Sequence, residues 1–166
     1  MPDITLLGWL HTLIGAFAVL IGFYTLGRSK VIQLKQSTGK IYLICTLITA
    51  LTALGIYHQG GFGIAHILAV LTLLALLLGV IAEQYQLFGN FSSYVQATCY
   101  SGTLLFHMIP AITDGLRRLP VGSPIVNDIE DPLLLNFYLG FLITYVIGLT
   151  LQIFWLKKRR EITSSN

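Results

Sequence analysis

The sequence predicts an all-α, polytopic transmembrane helix bundle: five helices in a single domain spanning residues 1–166. Three observations carry that expectation. Of the 166 residues, 55% are hydrophobic and only 10% are charged, against roughly 25% charged in a soluble domain, so the chain lacks the charge to solvate a water-exposed surface. Five segments contain no Lys, Arg, Asp or Glu, and each approaches the roughly 20 residues a helix needs to cross a bilayer core of about 30 Å. The Lys and Arg residues, for a net charge of +3, flank those segments in the manner of an orientation signal. They do not form the basic face that nucleic acid would require.

Taken in order, the first span covers residues 4–27. It is preceded by Asp3 and lacks the positive start of a secretory signal, so it reads as a retained helix. The second covers 41–59 and the third 62–82. Gly60, Gly61 and Gly63 between them interrupt both helices and predict a tight antiparallel turn. Glu83, just past the third span, reads as an interfacial charge. The fourth span, 94–113, contains Pro110, which predicts a kink near its end. Pro120, Pro124 and Pro132, with Asp128, Glu130 and Asp131, give the following loop a turn-rich composition suited to capping the bundle. The fifth span, 133–156, runs into Lys157, Lys158, Arg159 and Arg160, and residues 161–166 read as a frayed end. Cys45 and Cys99 both lie within apolar segments and read as small packed hydrophobes rather than a disulfide framework.

Orientation follows from the cations. Arg28, Lys30, Lys35, Lys40 and the run at 157–160 fall on one side, and Arg117 and Arg118 on the other. Short cytoplasmic loops keep positive charge, so the amino terminus is predicted outside and the carboxy terminus in the cytoplasm. Trp9 and Trp155 fall at opposite interfaces, where amphipathic aromatics belong.

Small and polar residues mark the faces that pack together. The first span carries Gly8, His11, Gly15, Ala18 and Gly22 at helical spacing, and the fourth carries Gln96, Tyr100, Thr103, His107, Ala111 and Asp114. These stripes place the first and fourth helices near the centre. The third offers Ala65, Ala69, Thr72 and Gly79; the fifth offers Asn136, Gly140, Thr144 and Gly148, a surface suited to a larger membrane complex or a homo-oligomer.

All four histidines, His11, His58, His66 and His107, fall toward the predicted outer side. His11 and His107 lie at matching depth, each roughly 10 Å below its helix end at about 1.5 Å per residue. Ionisable groups within a span default to a functional role. Two facing imidazoles suit haem b, with space supplied by Gly8, Gly15 and Gly102 and propionate partners by Arg117 and Arg118. A bare Zn or Cu ion held by His11, His107 and His66 is the alternative. A third reading makes the histidines interhelical hydrogen-bonding groups of an accessory or assembly subunit. No His-Glu-x-x-His, Cys-x-x-Cys or nucleophile elbow is present, so hydrolytic chemistry has no local support.

Leu10-His11 with Gly15, then Arg28, then Thr38-Gly39-Lys40-Ile41-Tyr42 opening the second span, resembles a widespread family of uncharacterised bacterial inner-membrane proteins. The resemblance covers about the first half of the chain and implies the topology and a role for His11; it implies no activity. Members of that family often carry a histidine where Ser37 or Thr38 stands here. For the topology, reporter fusions after Lys35, after Asn90 and at the carboxy terminus are expected to report cytoplasm, and a fusion after Val126 the outside. A cytoplasmic signal after Val126 would reverse the orientation.

Overall fold

The structure is a computed structural model describing residues 5–57 and 61–164. His58, Gln59 and Gly60, and with them part of the predicted glycine turn, lie outside the described residues, as does the start of the first predicted span. Five α-helices are present: α1 (Leu6–Ser29), α2 (Ser37–Leu54), α3 (Ile64–Tyr85), α4 (Ser92–Arg118) and α5 (Pro132–Ser164), with a short 3-10 turn, Gly89–Phe91, leading into α4. Thr5 caps α1 by accepting from the Gly8 amide at 3.1 Å, which satisfies one of the amides a helix start leaves free.

Four of the five, α1, α2, α3 and α5, are long and apolar enough to cross a membrane. The exception to the five-span expectation is α4, which is long enough but not apolar enough, for a specific reason. Its face bearing Ser92, Gln96, Ser101 and Thr103 is polar and is buried against its neighbours, which lowers its overall hydropathy. It runs through Pro110 without interruption. The molecule is inverted relative to a water-soluble protein: Leu, Ile and Phe cover the outside, while Thr46, Thr103, Glu83 and Gln152 are inside.

The largest contact surfaces pair α1 with α2 and α3 with α4; α2 also packs on α3, and α5 packs on α4. Thus α4 is central as expected, but α1 is peripheral, with most of its apolar surface facing outward. The predicted stripe on α1 is buried at Gly8, Ala18 and Gly22 and continues to Thr25. On α5 the expected stripe faces away: Asn136, Gly140 and Thr144 are exposed. The helix turns inward along Leu134, Tyr138, Phe141, Tyr145, Gly148 and Gln152 instead, because the hydroxyls of Tyr138 and Tyr145 reach α4 at Thr113 (2.6 Å) and the Thr98 carbonyl (3.1 Å). The tail expected to fray from Glu161 remains helical to Ser164.

The connector between α1 and α2 folds into the bundle, burying Val31 and Ile32. It is non-helical, so its backbone groups need outside partners. Leu34 N donates to both oxygens of Glu83 on α3, at 2.9 and 3.0 Å. Gln96 Nε2 on α4 donates to Ile32 O at 2.8 Å, and Gln152 Nε2 on α5 donates to Lys30 O at 2.9 Å. Glu83, expected as an interfacial charge, is therefore a buried anchor.

Two glycines mark where this packing is closest. A Cβ on Gly39 would collide with the Gln33 backbone, and one on Gly79 with the Tyr100 ring. Gly39→Ala is expected to destabilise the protein by about 1–3 kcal/mol, the usual cost of overpacking. Thermal unfolding in detergent reads this directly, against Gly140→Ala, whose Cβ would meet nothing within 4 Å.

Candidate histidine site

Both candidate histidines bond to α2, which presents Thr46, Thr49 and Thr52 on nearby turns. His11 Nδ1 lies 3.0 Å from the Thr49 carbonyl oxygen and 3.2 Å from Thr52 Oγ1. A carbonyl can only accept, so Nδ1 donates, and in the neutral ring Nε2 is left with a bare lone pair. From α4, His107 Nε2 meets Thr46 Oγ1 at 3.2 Å, and its ring stands edge-on to Tyr42 with centroids 6.5 Å apart. The two histidines come together: His11 and His107 line one cavity of about 80 Å³ with Thr49, Thr72 and mostly apolar side chains.

The chemistry of that wall is set by where the hydroxyl protons go. Thr49 Oγ1 donates to its own helix at Cys45 O (2.8 Å), and Thr72 Oγ1 to Leu68 O (2.7 Å). Both therefore turn oxygen lone pairs, not protons, to their surroundings. The cavity is otherwise lined by apolar side chains, so these hydroxyl oxygens and the two imidazoles are the polar groups it offers.

The other predicted site residues fall elsewhere. His66 is 4% exposed and does not line the cavity. Its Nδ1 accepts from the Gly63 amide at 3.1 Å, and its ring lies between Tyr57 and Phe62. Gly15 provides close contact between helices rather than cofactor space, since a Cβ there would sit 3.2 Å from Thr49 Cγ2. Gly102 faces the Tyr145 hydroxyl. Arg118 Nε pairs with Asp114 Oδ1 at 3.5 Å, and Arg117 Nε is buried without a hydrogen-bond partner among the described residues. Neither arginine lines the cavity. Asp114 stands within electrostatic reach of His11.

A haem macrocycle does not fit between His11 and His107 in this conformation. The cavity is about 80 Å³, whereas sites for larger organic ligands typically occupy roughly 300–1,000 Å³. Nor do three or more His, Cys, Asp or Glu side chains converge anywhere among the described residues. The site therefore rests on two imidazoles and hydroxyl oxygens.

Thr46, Thr49 and Thr52 are legible in the sequence as a polar ladder in an apolar span and Gln152 as a costly group near the end of one, whereas Glu83 is legible only as an interfacial charge. Their partners, being backbone groups of a distant connector, were not legible. No family model, curated protein or solved structure matches the chain.

Thr46→Val removes the partner of His107 at nearly constant volume. It is expected to cost on the order of 0.6–2 kcal/mol, the range for interhelical hydrogen bonds in membranes. A correspondingly small fall in the thermal midpoint in detergent checks it.

Proposed function

We propose that this is a five-span protein of a bacterial inner membrane that holds one first-row transition-metal cation, Zn or Cu, at His11 and His107. The observation that supports the reading is the pair of imidazoles lining one cavity, with His11 Nδ1 held by the Thr49 carbonyl. An imidazole whose Nδ1–H is held by a backbone carbonyl presents Nε2 in the tautomer a metal takes, the usual supporting arrangement for histidine ligands. Imidazole suits Zn and Cu, along with Fe and Ni, better than the hard cations that prefer oxygen ligands. Two protein nitrogens leave coordination positions open, as in sites that exchange water or ligands rather than in closed structural ones.

The apolar exterior supports a lipid surround, and α4 crosses with its neighbours because its polar face is covered by them. Gathering of the cations around the connector and the end of α5 supports that end as cytoplasmic, which puts the cavity toward the outside.

A second reading, an accessory subunit in which both histidines simply tie α1 and α4 to α2, is favoured by their threonine bonds. Protein stripped with chelator and dialysed against Zn²⁺ or Cu²⁺ separates the two. Elemental analysis is expected to find a stoichiometric ion that His11→Ala and His107→Ala each lose and His66→Ala keeps. A folded protein that takes up no metal overturns the metal reading and leaves the helix ties. A Soret band in the protein as purified would show that the bundle opens to admit haem b.

A further inference from the structure

Exposed cations gather at one end of the bundle from segments far apart in the chain: Arg28, Lys30, Lys35 and Lys40 around the connector, and Lys157, Lys158, Arg159 and Arg160 near the end of α5. The fold brings the two groups together. Gln152 on α5 donates to the Lys30 carbonyl at 2.9 Å, and Arg160 Nη1 donates to the Asn90 carbonyl at 3.2 Å, where the turn between α3 and α4 closes the same end. Glu83 and Glu161 are the acids of this end. Glu83 is buried with both oxygens on the Leu34 amide, which leaves the surface strongly positive. No salt bridge joins Arg28, Lys30, Lys35, Lys40, Lys157 or Lys158 to a carboxylate among the described residues.

Their depths match the two edges of a lipid headgroup layer. The 24 residues of α1 span about 36 Å at about 1.5 Å each, so a hydrocarbon core of about 30 Å ends close to Arg28 and Lys30. Gln152 is level with Lys30, and Lys157 to Arg160 lie about 8–12 Å further out along α5. The headgroup region of one leaflet is about 5–8 Å thick. Aromatic partners hold two of the guanidiniums at this level: Arg28 Nη1 donates to Tyr24 Oη at 2.9 Å, and Arg159 lies 5.2 Å from the centroid of the Trp155 ring. Tyr24 uses one Arg28 donor, and the Gly27 carbonyl takes one from Lys30 Nζ at 3.0 Å. The remaining donors of both side chains can meet an outside acceptor.

We propose that this end of the bundle binds anionic phospholipids, whose phosphates sit between a lower tier of Arg28 and Lys30 and an upper tier of Lys157 and Lys158. A phosphodiester accepts charge-assisted hydrogen bonds from guanidinium and ammonium groups. Clusters of about four to eight Lys and Arg beside a spanning helix attract acidic lipid. A zwitterionic lipid carries the same phosphate, but its own ammonium competes for it, so a headgroup with net negative charge is the class selected. The α1–α2 and α3–α4 pairs carry the largest contact surfaces, and α5 packs chiefly on α4. Lipid held between the ends of α1 and α5 adds to the tie that Gln152 makes with Lys30 and so stabilises the bundle.

The inference rests on the bilayer setting proposed above, but not on the metal or on which way the bundle is inserted. The full chain, stripped of lipid in a neutral detergent, is titrated with phosphatidylglycerol, phosphatidylcholine or soluble glycerol phosphate, and the thermal midpoint follows binding. Phosphatidylglycerol is expected to raise the midpoint at concentrations where the other two do not. Added salt is expected to shrink that gain, because exposed charges are screened. Lys157→Gln and Lys158→Gln together are expected to weaken phosphatidylglycerol binding roughly 25-fold, from about fivefold for each cation near an anionic surface. Arg118→Gln, which removes a cation paired with Asp114 at the opposite end, is expected to leave it unchanged. Size-exclusion profile and helicity verify folding, with Lys35→Gln and Lys40→Gln replacing the pair if it fails. An equal response to phosphatidylcholine or glycerol phosphate overturns the proposal, as does a gain that survives salt or the loss of both lysines. A chain that stays in solution without detergent strikes the bilayer reading itself, and this inference with it.

Discussion

The buried connector between α1 and α2 is the constraint around which the other helices are arranged. Away from water, each backbone amide and carbonyl must find a partner, and a non-helical segment cannot supply its own. Glu83, Gln96 and Gln152 supply them, one side chain from each of α3, α4 and α5. Each missing partner would leave a buried polar group at a cost of about 1–3 kcal/mol. Because three helices meet one short segment, their axial positions are tied to one another. Gln152 extends the tie, accepting from Ser101 Oγ at 2.9 Å while donating to Lys30.

That anchoring sets the depth at which α2 presents its threonines to α1 and α4. A threonine bonded back to its own helix is a quiet residue in an apolar span, yet it offers lone pairs to a neighbour. The same residue type thus does two things here: it joins helices, and it gives the histidine cavity its hydroxyl oxygens. Glycine contributes where large rings must enter. Gly22 stands against Tyr42 and Gly79 against Tyr100, so both rings lie inside the bundle, where Tyr42 Oη meets Thr103 Oγ1.

The fifth helix is held differently. It touches the bundle through α4 and secures itself with tyrosine hydroxyls and Gln152, leaving an open groove along Leu133, Asn136, Phe137, Gly140 and Thr144. Its reversed face shows how little small residues alone decide. Gly140 and Thr144 permit close approach, but the tyrosines and Gln152 need acceptors, and unsatisfied polar groups in an apolar setting outweigh the gain from tighter contact.

By itself the sequence determined the five helices, their order and the apolar exterior, because composition and segment length are local properties read directly against the demands of a lipid solvent. It also led to the pairing of His11 with His107, which line one cavity, since helical rise is fixed. Tertiary structure alone decided what each polar group meets. His66, equally polar and on a neighbouring helix, turned back to cap Gly63 instead of joining the cavity. Glu83 became an anchor for Leu34, a residue 49 positions away. Gly15 became a point of close approach between α1 and Thr49. Rotation about a helix axis and the folding of a connector depend on which hydrogen bonds can be satisfied together, and that condition is met only when all five helices are in place.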